Sequence, residues 1–180
     1  MKRSSIFLLV GALFMGAVGC GGDSRDYAVP KKLCDTKVDP DVLAPLLPAG
    51  EEIHQRAVPR ELGATCDVSV TGEGGNGGSS AVYIKRDAVT EGVDPLKVMR
   101  DMLIRSGNPK KVDIGDDARI ADSAGLVALS CPPKGKDTTL ALEVHLSTPT
   151  PKDVSERRKA LERFLRSYLP TAAKAQGCRS

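Results

Sequence analysis

The chain has no tryptophan and only three phenylalanines and three tyrosines among its 180 residues. Phe7 and Phe14 sit in the N-terminal apolar run, so the rest of the chain holds only Phe164, Tyr27, Tyr83 and Tyr168. Surfaces that stack bases or sugars, or that cradle quaternary amines, are built from rings, and four scattered ones disfavour all of these. A core must instead be made from Val, Leu, Ile and Ala, and covalent bracing would help it. A dominant charge is missing as well. The formal balance is +3 and falls to +1 once Lys2 and Arg3 leave with the first 19 residues. Phosphate-contacting proteins need a far larger basic excess, so no nucleic-acid partner is expected. Several catalytic and metal spacings are also lacking. There is no Cys-x-x-Cys, His-x-x-x-His or Gly-x-Ser-x-Gly, and only His54 and His145 supply imidazole.

Long hydrophobic runs are lacking except at the start. Residues 6–19 carry no charge, follow the basic Met1-Lys2-Arg3-Ser4-Ser5, and give way to Cys20-Gly21-Gly22-Asp23. A bilayer-spanning helix needs about 20 apolar residues, so residues 1–19 read as a cleaved leader and not as a membrane span. Small residues at Ala17 and Gly19 suit a signal-peptidase cleft, and Ala17-Val18-Gly19-Cys20 resembles a bacterial lipobox, with Ala17 in place of the commoner leucine. The resemblance implies that Cys20 is diacylglyceryl-modified and becomes the new N-terminus. Cleavage before an unmodified Cys20 is the alternative. Cysteine arithmetic favours lipid: of five cysteines, setting Cys20 aside leaves the even set Cys34, Cys66, Cys131 and Cys178. Two or three acyl chains hold a protein on a bilayer, at about 0.8 kcal/mol per buried methylene. The expected partner through Cys20 is therefore the membrane.

Residues 20–33 have no periodicity and read as a flexible tether, with one disulfide-braced domain over residues 34–180. A short helix is expected near residues 39–48, opened by Asp39-Pro40 and limited by Pro45. Alternation predicts strands at 52–58, 66–70 and 81–86, with a loose glycine-rich hairpin tip at 71–80. A helix over 94–106 follows, with Leu96, Met99 and Leu103 as its buried face and Gly107-Asn108-Pro109 as its stop. Further strands are expected at 111–114, 118–122 and 125–130. The clearest is 140–146, with its Leu and Val residues on the core and Glu143 and His145 on a wet face. A last helix opens at Pro151-Lys152-Asp153 and is bent or ended by Pro170. Strands in series with two or three helices laid on one face make an α+β fold around an antiparallel sheet. Four cysteines allow three pairings. Cys34 with Cys66 and Cys131 with Cys178 is favoured, because it ties each chain end to the sheet.

The groups that carry chemistry are few. The glycine run lacks the Lys-Ser or Lys-Thr and the helix N-terminus of a phosphate loop. Asp113, Asp116 and Asp117 suit a turn better than the six to eight oxygens of a calcium site. Glu143 and His145 share a strand face, close enough for a carboxylate to orient an imidazole. No third partner is evident nearby, so a solvated strand face is the plainer reading. On the last helix, Asp153 with Arg157 and Glu162 with Arg166 stand at i, i+4, which favours a salt-bridged outer face over contact with lipid headgroups. Neither metal nor cofactor is expected.

Leu33-Cys34, Val38-Asp39-Pro40 with Leu46-Leu47-Pro48-Ala49-Gly50, Cys66-Asp67-Val68-Ser69-Val70 and Ile114-Gly115-Asp116-Asp117-Ala118 together resemble the uncharacterised secreted lipoproteins of actinobacteria. The resemblance implies an α+β domain on the outer face of a Gram-positive-type cytoplasmic membrane, and it carries no catalytic residues. The leading expectation is a non-enzymatic, lipid-anchored envelope module that binds an unknown envelope protein or small ligand. The alternatives are an extracellular hydrolase using Glu143 and His145, which requires both in a concave pocket, and a structural spacer without any pocket.

Overall fold

Alternating apolar side chains over most of the chain's middle produce strands, and the computed structural model assembles them into one twisted antiparallel layer. It describes residues 25–72, 78–90, 92–131 and 138–178. The expectations for residues 1–19, for Cys20 and for the centre of the glycine run at 73–77 lie outside the described residues. A two-stranded ribbon comes first, β1 (Lys32–Leu33) with β2 (Thr36–Lys37). It is followed by α1 (Pro40–Leu43), which tightens into a 3-10 turn at Ala44–Leu46. Asp39 caps α1 by accepting from the Asp41 amide at 2.9 Å, and Pro40 fills the position where a missing N–H costs nothing.

The main sheet begins with β3 (Glu52–Arg60), β4 (Gly63–Thr71) and β5 (Ser79–Thr90), a meander. The short helices α2 (Pro95–Val98) and α3 (Arg100–Arg105) then lead to a second meander of β6 (Lys110–Val112), β7 (Asp117–Ile120), β8 (Ala124–Ser130) and β9 (Thr138–Leu146). The two join by pairing β5 with β9, giving the spatial order β3-β4-β5-β9-β8-β7-β6 with every neighbour antiparallel. The strand with the clearest alternation, β9, thus lies at the centre. Helix α4 (Val154–Gln176) closes the chain.

The strand period of two sends Leu140, Leu142, Val144 and Leu146 to one face, where they meet Leu161, Phe164, Leu165 and Tyr168 of α4 and Leu43 of α1 in the principal core. Two of the few aromatic rings, Phe164 and Tyr168, stack there with centroids 5.1 Å apart. Gly125 lets α4 come close: a Cβ on it would stand 2.4 Å from the Leu165 methyl Cδ1. Ala141 and Leu126 point the other way, into a smaller cluster with Leu103, Leu96, Met99 and Met102 of α2 and α3. The α+β antiparallel layer is as expected, with α1 and α4 on one face, while α2 and α3 lie across the other. The face of β9 that was expected to be wet is therefore roofed.

Cys34 is bonded to Cys66 and Cys131 to Cys178, the favoured pairing. Two other expectations are corrected, and one of the two readings of Pro170, that it ends the last helix, falls. The tether was drawn to residue 33, but the chain is docked from Arg25 onward. The Arg25 guanidinium donates to the carbonyls of Ala44 and Leu47 at 2.9 and 2.7 Å, the Tyr27 hydroxyl donates to the Pro48 carbonyl, and Leu33 is buried. These contacts reach the Leu47 and Pro48 carbonyls just past the 3-10 turn and share the Ala44 carbonyl with the Leu47 amide. Helix α4 runs through Pro170 to a left-handed Gly177 cap, because Ala172 and Ala173 are buried and Cys178 is bonded beyond them. Arg157 is not on an outer face. It is buried and donates to the carbonyls of Asp122, Pro151 and Lys152, while Asp153 caps the helix through the Glu156 amide at 2.8 Å. The Glu162 to Arg166 pair is present at 3.0 Å.

Candidate functional site

Beneath α2, the face of β5 and β9 opposite the main core is built from Lys85, Asp87 and Val89 on β5 and from Ala141, Glu143 and His145 on β9. The register sets Lys85 beside Glu143 and Asp87 beside Ala141. Val93, Pro95, Val98 and Met99 overhang this floor and enclose a cleft of about 270 Å³. That volume is at the small end for a ligand pocket. The helical segment expected over 94–106 is interrupted at Met99, whose backbone leaves helical geometry (φ −96°, ψ 13°) and serves as the end of α2 and the start of α3. The break separates α3 from α2, whose Pro95 and Val98 line the cleft. Asp94 accepts from the amides of Leu96 and Lys97 and fixes its first turn.

Glu143 is the unusual group. Only 8% of it is exposed, it lines the cleft, and among the described residues it has no hydrogen bond and no ion pair within 4 Å. Its neighbour Lys85 is engaged instead by Asp87 Oδ2 at 3.1 Å. Asp87 Oδ1 is sealed from solvent with no hydrogen bond, and its nearest cation is Arg60 Nε at 3.4 Å. Burial pushes the Glu143 carboxyl above its ordinary value; Lys85 opposes that shift and the Asp87 carboxylate adds to it. An ordinary buried carboxylate would be hydrogen-bonded, since leaving one unpaired is costly.

His145 lies on the same strand face as Glu143, as expected, but does not line the cleft. Its Nε2 stands 3.1 Å from Ser106 Oγ, so it anchors the end of α3 to the sheet, and burial lowers its affinity for a proton. The reading of both residues as a solvated strand face is thus corrected: α2 and α3 cover them. The turn at Gly115 behaves as expected of a turn. Asp116 accepts from the Ser130 hydroxyl and amide, and these bonds hold its pKa low. Asp117 is paired with Arg119 and lies 3.7 Å from Lys111. Among the described residues, no three His, Cys, Asp or Glu side chains converge as a metal site would require.

A second hollow of about 340 Å³ adjoins the first through Asp87, Val89 and Val93, and is completed by Arg60, Leu62 and Thr90. Three of the few large apolar side chains left exposed, Leu62, Val93 and Val98, stand around these two openings. Sequence reasoning missed Asp87 and Val89 as site residues because the strand was expected to end at residue 86, and missed Lys85, inside that strand, because its face was not known to be covered. The signal was present, since the alternation of Lys85, Asp87 and Val89 against Ile84, Arg86 and Ala88 continues to Thr90. Compared with known proteins, the chain matches no family model, no curated protein and no solved structure.

Proposed function

We propose that the protein is a lipid-anchored envelope module, tethered through Cys20 to the outer face of the cytoplasmic membrane, that holds a small ligand in the cleft between α2 and strands β5 and β9. The observation that carries this reading is Glu143, a buried carboxyl with no hydrogen bond or ion pair among the described residues, lining a cleft whose other walls are apolar apart from the Lys85–Asp87 pair. Stability alone would favour an apolar side chain or a paired one there, so an unpaired acid at the centre of a sheet is what a recognition site requires. Leu62, Val93 and Val98, apolar and exposed at the rim, fit the same use. A hydrolytic pair is the weaker reading, because His145 is held by Ser106 outside the cleft.

The test is a thermal-shift screen of the mature protein against small polar and amphipathic compounds. A ligand at a hundred times its Kd adds about 2.7 kcal/mol to stability. True ligands are expected to lose this effect in Val98→Trp, whose bulk covers the mouth from a position 70% exposed and outside the core. Stabilisation that persists in Val98→Trp, or a screen without a single stabilising compound, would overturn the proposal. Intact mass of the protein from its native membrane tests the anchor: loss of residues 1–19 with added diacylglyceryl is expected, and an unmodified Cys20 would overturn it.

A further inference from the structure

Taking the cleft as a binding site, we infer that its ligand presents a protonated primary or secondary amine on a short apolar chain, with the ammonium group donating to Glu143. Among the described side chains lining the cleft, Lys85 and Asp87 are ion-paired and Glu143 is not, and a carboxylate accepts hydrogen bonds. An anionic ligand is disfavoured, because the one lining ammonium, Lys85, is taken by Asp87 and two carboxylates would repel a third. A metal ion would need more ligands than one free carboxylate. A quaternary ammonium has no N–H to give and is held by aromatic faces, and no ring lines this cleft. Val89, Val93, Pro95, Val98, Met99 and Ala141 supply apolar walls, which match a short alkyl chain and no sugar or nucleotide. Burying the ammonium is offset only where its charge is matched, and the Glu143 carboxylate supplies the opposite charge and a hydrogen-bond acceptor.

Both a free alkylamine and the side chain of a lysine in a peptide carry this group, and the experiment separates them. Once the leader is removed the chain has two methionines, Met99 and Met102. Met99 lines the cleft, whereas Met102 does not and touches Ser106. A protein labelled with 13C-methyl methionine in its mature, detergent-solubilised form therefore gives one signal that reports the cleft and one internal control. The probes are pentylamine, Nα-acetyl-lysine N-methylamide, 1-pentanol and pentanoate.

Either amine should shift Met99 saturably and leave Met102 in place, at least tenfold more tightly than the alcohol or the acid. The tighter of the two amines identifies the source. In Glu143→Gln, the amine affinity should fall about tenfold or more, as expected for loss of a charged hydrogen-bond acceptor. If pentanol or pentanoate moves Met99 as tightly as the amines, or Glu143→Gln binds amines unchanged, the amine inference is overturned and the binding cleft stands. If no probe moves Met99, both are overturned.

Discussion

Glu143 and His145 are two residues apart on one strand, and burial drives their charges in opposite directions of pH. In the folded protein Glu143 holds its proton more tightly than in the unfolded chain, where the ordinary value is 4.5. Its protonated form therefore favours the fold at acid pH, and that advantage is lost as pH rises through its elevated folded value. Glu143→Gln keeps the shape and removes the ionisation, so it should raise the Tm at neutral pH and match the parent at pH 4. For a chain of this size each kcal/mol corresponds to about 2–4 °C. A neutral-pH Tm below that of the parent would mean that the carboxylate is paired and stabilising. His145 has the opposite sign. Its folded value lies below the ordinary 6.5, so the neutral ring supports the fold above that pH and the support is lost as pH falls through the folded value. An NMR titration should place the His145 midpoint below 6.5, and His145→Gln should flatten the acid-side loss of stability. A midpoint above 6.5 would contradict the buried setting beside Ser106.

At the scale of elements, helix α4 shows where local signals mislead. Pro170 removes the N–H that would bond the Arg166 carbonyl, and interior prolines cost a helix about 3 kcal/mol or more. The sequence therefore reads as a helix bent or ended at Pro170. The helix continues for six residues because Ala172 and Ala173 are buried and Cys178 is fixed, neither of which a local pattern reveals. Pro170 itself is exposed, so Pro170→Ala can restore the missing bond without disturbing the core. It should stabilise the protein by about 1–3 kcal/mol in urea unfolding. An unchanged midpoint would mean that the helix has already relaxed around the ring. Strand existence was legible nearly everywhere from alternation. The floor of the cleft was less so, because Lys85 and Asp87 put charge on the face of β5 opposite the main core, which reads as solvent-facing, and the strand was expected to end before Asp87, until α2 is known to cover that face. The break of the 94–106 helix at Met99 was equally hidden, since both halves share the apolar spacing of Leu96, Met99 and Leu103.

For the whole molecule, the α+β class and the disulfide pairing were readable because they depend on patterns along the chain, while the sharing of helices between two faces depends on how the meanders meet. The sheet order places β5 and β9 side by side at its centre, and the two disulfides lie away from their cleft-bearing face. Cys34–Cys66 ties the β1–β2 ribbon to β4, and Cys131–Cys178 ties β8 to the end of α4. Each closes a long loop, 32 and 47 residues in separation, and restricts the unfolded chain by roughly 4 kcal/mol on the chain-entropy argument. The stabilisation is global, because it acts on the unfolded state, whereas the cleft geometry is local to α2, β5 and β9. Replacing Cys34 and Cys66 together by serine should therefore lower the Tm by about 8–16 °C, using about 2–4 °C per kcal/mol. The Met99 methyl signal should stay where it is in the parent protein below that temperature. Residues 25–37 should become more open to proteolytic cleavage, since they lose their one covalent tie and keep hydrogen bonds to Ala44, Leu47, Pro48, Gly50, Gln55, Arg86 and Thr171 and the burial of Leu33 and Thr36. A displaced Met99 signal in this variant would mean that bracing at β4 reaches the cleft through the sheet, and that the disulfide sets the shape of the site as well as the stability of the fold.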